Sequence, residues 1–144
     1  MLHANLKKGT IVWRWDDRTN KGRYWLIVHS TSKKVWDIAI YTNGDTGLRN
    51  LGPGRRRHYF SLRPMGVDAA DFKNQSSTHD YVSIDCMNRD DRQIVGKPMR
   101  STMIARFTEV FEHDINKEGL RVVGAIAEKD VVFAVGKAWD YIKK

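Results

Sequence analysis

The sequence has one cysteine, three prolines among its 144 residues, and no apolar run approaching the ~20 residues that a membrane helix needs. Each shortage excludes something. Cys86 alone cannot form an internal disulfide or assemble a cysteine metal cluster within one chain. His3, His29, His58, His79 and His113 are scattered without ligand spacing, so neither a metal nor another cofactor is expected. With 41% hydrophobic and 29% charged residues and no low-complexity tract, the composition is that of one globular domain spanning residues 1–144. The opening MLHANLKKGT lacks the continuous apolar stretch of a signal peptide, so a cytoplasmic protein with no membrane association is expected. Acidic residues are also short. Asp and Glu number 17 against 25 Lys and Arg, a net charge of +8 with a pI near 9.7. Such a field favours a polyanion as partner.

What is present is alternation. TIVWRW places Ile11, Trp13 and Trp15 on one side, YWLIVHS is nearly continuously apolar, and VWDIAIYT aligns Trp36, Ile38 and Ile40. Turn-rich connectors separate these runs, as in Asp16 to Gly22, and connectors so tight suit antiparallel meanders. The pattern predicts strands near 10–16, 23–30, 35–42, 57–63 and 80–86, folded into a small antiparallel barrel over about 6–96. After Pro98 the period changes. Met103, Phe107, Val110 and Phe111 recur at helical spacing, which predicts a helix over about 98–113. LRVVGAIA reads as a short strand, and Val131, Val132, Val135, Ala138, Trp139 and Ile142 predict a helix near 129–142, within a C-terminal extension of about 120–144. The fold class is therefore α+β. Trp13 and Trp36 read as core, whereas Trp15, next to Asp16 and Asp17, suits a stacking platform.

Basic residues cluster in LRNLGPGRRRHYFSLRP, where Arg55, Arg56, Arg57 and His58 are followed by Tyr59 and Phe60, a combination suited to phosphates and stacked bases. In KGRYWLIVHS, Gly22 reads as a tight entry into a central strand that delivers Arg23 at a rigid strand start.

These segments resemble a known family. LKKGTIVWRWDDRTNKGRYWLIVHS is similar to the opening of MazF/PemK-like toxins: a basic residue and glycine, an Ile-Val-Trp-type strand, a polar loop, then Gly-x-Arg leading into an apolar strand that ends in Ser or Thr. WDIAIYTNGDTG resembles their third strand, with Thr42 and Asn43 beside the active groove, and the segment from Ser76 to Phe111 is similar to their closing pattern. The resemblance spans roughly residues 6 to 113. It implies an SH3-like barrel, a homodimer, an acidic antitoxin as protein partner, and metal-independent, sequence-specific cleavage of single-stranded RNA. Arg23, Thr42 and Asp85 are the catalytic candidates, with Arg18, Asn43, Arg55, Arg56, Arg57, His58 and Arg89 as nucleic-acid-binding candidates. One position departs: the family generally has Arg two positions before the strand's acidic residue, and here Ser83 precedes Asp85. Either another arginine, from Arg18, Arg23, Arg57 and Arg89, takes that role, or the barrel binds nucleic acid or an acidic protein without cutting.

The chemistry itself needs few parts. RNA carries its own nucleophile, the 2′-OH, so cleavage needs a base for that proton, an acid for the departing 5′-oxygen, and cations around the crowded phosphorus. Asp85 is a candidate base or a group that orients an arginine, and His29, His58 or His79 a candidate proton donor.

Overall fold

A computed structural model describes residues 7–41, 47–64, 68, 70–76, 79–87, 103–114 and 120–142. Those residues form seven strands: β1 (Thr10–Asp16), β2 (Lys21–Ser30), β3 (Lys34–Tyr41), β4 (Tyr59–Arg63), β5 (Val82–Met87), β6 (Ile104–Asp114) and β7 (Arg121–Ile126). Among the described residues two helices accompany them, a single turn α1 (Pro53–Arg56) and a long α2 (Glu128–Ile142). The strands form one closed barrel in the order β1-β2-β3-β6-β4-β5-β7, with β7 returning to pair with β1.

The first three strands pair as a meander, as their alternation and short connectors predict. Asn20 closes the β1–β2 turn at φ 56, a left-handed conformation that asparagine tolerates. Three expectations change. First, the segment read as a helix over about 98–113 is, over its described part, the strand β6, which runs between β3 and β4. Its register against β3 shifts between Ile38 and Ile40, so the β6 partners jump from Val110 to Ala105. Before the jump Ala105 and Phe107 enter the main core; after it Val110 packs there and Phe111 turns to the other face. An irregularity that resets a two-residue alternation yields three- and four-residue spacings, and these imitate a helix. Second, β4 and β5 are parallel, which the long connection between Arg63 and Val82 permits. Third, residues beyond Leu120 are not an appendage, because β7 is the strand that closes the ring.

Successive side chains in a strand point to opposite faces, and this barrel buries both of them. The main core draws on all seven strands, among them Ile11, Leu26, Ile38, Phe60, Val82, Ala105 and Val123, and α2 adds Ala134 and Ala138. Asp130 anchors that helix by accepting the Ser83 backbone N–H at 2.9 Å, while the Ala127 N–H donates to the Ser83 carbonyl at 2.8 Å. On the other face of β1, β2 and β3 lies a smaller cluster of Val12, Trp25, Ile27, Val35 and Ala39.

Gly22 lies inside β2, opposite Trp15. Its missing side chain makes room for the Trp13 ring, since a Cβ there would collide with Trp13 Cζ2. The glycine therefore serves a close approach and not a turn. Gly22→Ala should force the indole aside and cost about 1–3 kcal/mol. An unchanged thermal midpoint in that variant would show that the contact is not binding.

Candidate functional site

The face carrying the smaller cluster also carries charge, which the alternation dictates: Arg14 and Asp16 follow Val12 on β1, Arg23 precedes Trp25 on β2, and Asp37 sits between Val35 and Ala39 on β3. Two linked networks result.

The first network is buried. Asp37 has 0% exposure and accepts from Arg14 Nε at 3.1 Å and Arg14 Nη2 at 2.9 Å, a two-pronged pairing. His113 Nε2 stands 2.7 Å from Asp37 Oδ2. A carboxylate only accepts, so Nε2 is the donor in this contact, and Nδ1 is buried without a hydrogen-bond partner. The Arg14 guanidinium lies 3.5 Å from the centroid of the Trp25 ring. Sequence reasoning missed this triad, although an aspartate and an arginine at inward positions of otherwise apolar strands was its signal.

The second network reaches the surface. Arg18 donates to both Asp16 oxygens at 3.1 Å, to Glu109 Oε1 at 2.9 Å and to Tyr41 Oη at 3.4 Å, and its guanidinium lies 4.3 Å from the Phe111 centroid. Arg23 is more deeply set. It donates to Asp16 Oδ2 at 3.1 Å and to Thr19 Oγ1 at 3.3 Å, with its guanidinium 4.4 Å from the Tyr41 centroid. Burial acts to raise the Asp16 carboxyl, but hydrogen bonds and charge from Arg18, joined by Arg23, bring it down to about 2 from 3.8. Burial opposes the Arg18 charge as well, yet its bonds to Asp16, Tyr41 and Glu109 hold it above the ordinary arginine value.

A carboxyl with a lowered pKa stabilises the fold above its unfolded value, and that stability is lost as pH falls through the folded value. The stability difference between the protein and Asp16→Asn should therefore shrink by about 1–2 kcal/mol between about pH 5 and pH 2. Denaturant titrations at several pH values would read it, and a constant difference would contradict the pairing.

The other expected residues are placed as follows. Arg23 and Tyr41, the residue before Thr42, are in contact, while Thr42, Asn43 and Arg89 lie outside the described residues. Asp85 is exposed on β5, and β7 and β1 stand between that strand and the β2 strand of Arg23. The basic stretch divides. Arg56 is spent on the backbone, donating to the Leu51 and Arg49 carbonyls at 2.7 and 2.9 Å, whereas Arg55 and Arg57 are exposed. Ser83 Oγ receives a hydrogen bond from Arg63 Nε at 3.1 Å, Arg63 being its partner on the parallel neighbour β4. His29 lies between Trp36 and Trp139, with centroids 4.8 and 4.7 Å away. Trp15 is 46% exposed.

Compared with protein-family models, with curated proteins and with solved structures, the chain finds no match in any of the three. Among the described residues no group of three or more His, Cys, Asp or Glu is placed to hold a metal ion, and no helix is long and apolar enough to cross a membrane. The site's own chemistry is what remains to argue from.

Proposed function

We propose that the protein is an SH3-like barrel endoribonuclease of the MazF/PemK-like kind, which cuts single-stranded RNA in the cytoplasm and has an acidic antitoxin and a second copy of itself as partners. The observation that carries this reading is Arg23, which Asp16 and Thr19 fix at one end of β2 with its guanidinium over Tyr41, immediately before Thr42 in the chain. A cation held so rigidly does not need to be ordered when the phosphorus becomes five-coordinate. Arg18, 42% exposed on the same carboxylate, supplies a second positive charge at the rim. In the reaction the 2′-oxygen forms a bond to phosphorus as its proton leaves to a base, and the bond to the 5′-oxygen breaks as that oxygen takes a proton. The products are a 2′,3′-cyclic phosphate and a 5′-hydroxyl.

The test is incubation of the purified protein with a mixed RNA pool in excess chelator, with end-group analysis of the fragments. Cyclic phosphate ends at a restricted set of sequences are expected. Intact RNA would defeat the reading. A second reading is favoured by a specific observation: both oxygens of Asp16 already engage Arg18 and Arg23, as a purely architectural ion pair would. On that reading the barrel binds single strands without cutting them, and intact RNA that is nonetheless bound with salt-sensitive affinity identifies it.

A further inference from the structure

Cleavage through the 2′-OH needs a base near Arg23, and Asp85 on β5 is separated from it by β7 and β1. Three carboxylates are instead joined to the arginines of the Arg23 face: Asp16, Asp37 and Glu109. Asp16 is buried, both of its oxygens accept from Arg18 or Arg23, and its pKa lies at about 2, so it takes up a proton poorly. Asp37 is fully buried and engaged by Arg14 and His113. Glu109 differs from both. Its side chain is 37% exposed, Oε1 accepts from Arg18 Nη1 at 2.9 Å, and Oε2 has no hydrogen-bond partner among the described residues.

The irregularity in β6 puts Glu109 there. Ile38 pairs with Val110 and Ile40 with Ala105, so the residues from Arg106 to Glu109 all fall opposite Ala39 on the β3 side. An insertion of this kind bends the strand and re-aims its side chains, and such insertions recur beside active sites. Val110 packs into the main core, while Glu109 before it reaches Arg18 on the other face. Arg18 connects the parts. It bonds Asp16, which also holds Arg23, and it donates to the hydroxyl of Tyr41, whose ring lies against the Arg23 guanidinium. The remaining acidic residues of β6, Glu112 and Asp114, pair with Lys34 at the other end of β3.

We infer that Glu109 is the general base of this site, the group that takes the proton of the RNA 2′-OH. The inference rests on the nuclease reading and supplies the group that it leaves unnamed. As the 2′-oxygen bonds to phosphorus its proton passes to Glu109 Oε2. The bond to the 5′-oxygen breaks, that oxygen takes a proton from water, and Glu109 returns its own proton to solvent. Arg18, bonded to Oε1, fixes the carboxylate and leaves Oε2 for the hydroxyl.

The experiment compares the full chain with Glu109→Gln and Asp85→Asn, each assayed where circular dichroism shows it folded. The amide of Glu109→Gln can still accept from Arg18 but is not a base. Its single-turnover cleavage of RNA should fall about 10²–10⁴-fold, and the parent's loss of rate towards acid pH should vanish. Affinity for a 2′-O-methyl oligoribonucleotide, which lacks the nucleophile, should be retained, and Asp85→Asn should cut as the parent does. A second substrate carries sulfur in place of the bridging 5′-oxygen. A thiolate departs without a proton, so the defect of Glu109→Gln should persist on it. Undiminished cleavage by Glu109→Gln, or a defect found in Asp85→Asn instead, would overturn the inference while leaving the nuclease reading in place. A defect that vanishes on the sulfur substrate would overturn it by making Glu109 the acid, and one matched by weaker binding of the 2′-O-methyl strand by making Glu109 a binding residue. Intact RNA with the parent protein would overturn the nuclease reading and this inference with it.

Discussion

Asp37→Ala should cost the fold about 3–5 kcal/mol, the largest effect expected of a single side chain here. The carboxylate is fully buried and accepts from Arg14 on β1, two strands away, and from His113 on the adjacent β6. Removing it leaves the Arg14 guanidinium beneath the surface and against Trp25 with no counter-charge, and that unpaired ion, more than the lost bonds, sets the cost. A domain of this size has ~5–15 kcal/mol in total, so the variant should populate unfolded chain readily. Urea titration should show a midpoint lower by roughly 1 M or more with the slope retained. Replacing both partners, as in Arg14→Met with Asp37→Leu, should cost much less, because no charge is then stranded. Equal losses in the single and double variants would mean that packing, not the uncompensated ion, governs the site.

Arg23→Ala should reduce RNA cleavage by about 10²–10³-fold, as loss of a fixed donor to a developing oxyanion does. The fold should suffer far less. Asp16 keeps both of its bonds from Arg18, so no carboxylate is left unpaired, and what is lost is two hydrogen bonds, to Asp16 and Thr19, and the packing on Tyr41. The split between activity and stability is the informative quantity: a large fall in kcat with little change in KM, together with a thermal midpoint within a few degrees of the parent, marks a group acting on the transition state. A variant that cuts as well as the parent would leave Arg23 as an architectural residue and favour the binding barrel.

The parts of the fold legible in the sequence were those where alternation runs unbroken. β1, β2 and β3 have one inward residue for every outward one, and α2 follows its 3.6-residue stripe through Ala134 and Ala138. β6 was hidden by its own irregularity. Phe107 and Val110 share a core despite being three apart because the strand loses register against β3, and no local rule distinguishes that from a helix. The parallel pairing of β4 with β5 depends on where a long connection goes, and such information is not local. Within the site, Arg23 and its nearness to the strand ending at Tyr41 followed from sequential strands being neighbours. The triad of Arg14, Asp37 and His113 did not. Its members come from β1, β3 and a segment taken for a helix, so their meeting required the true place of β6.

The seam between β1 and β7 joins Thr10 to Ala125, nearly the two ends of the described chain. During synthesis the first strand leaves the ribosome long before its partner exists, by roughly 6–20 s at typical elongation rates. Throughout that interval β1 has one side paired to β2 and the other open, with Ile11 and Val12 on a strand whose free edge can recruit any extended segment nearby. Closing a loop that long is also entropically slow, so refolding should be limited by the arrival of the last strand and not by the early meander. A chain stopped before Arg121 would keep six of its seven strands and still be unable to finish, leaving β1 and β5 as two unprotected borders prone to pair between molecules.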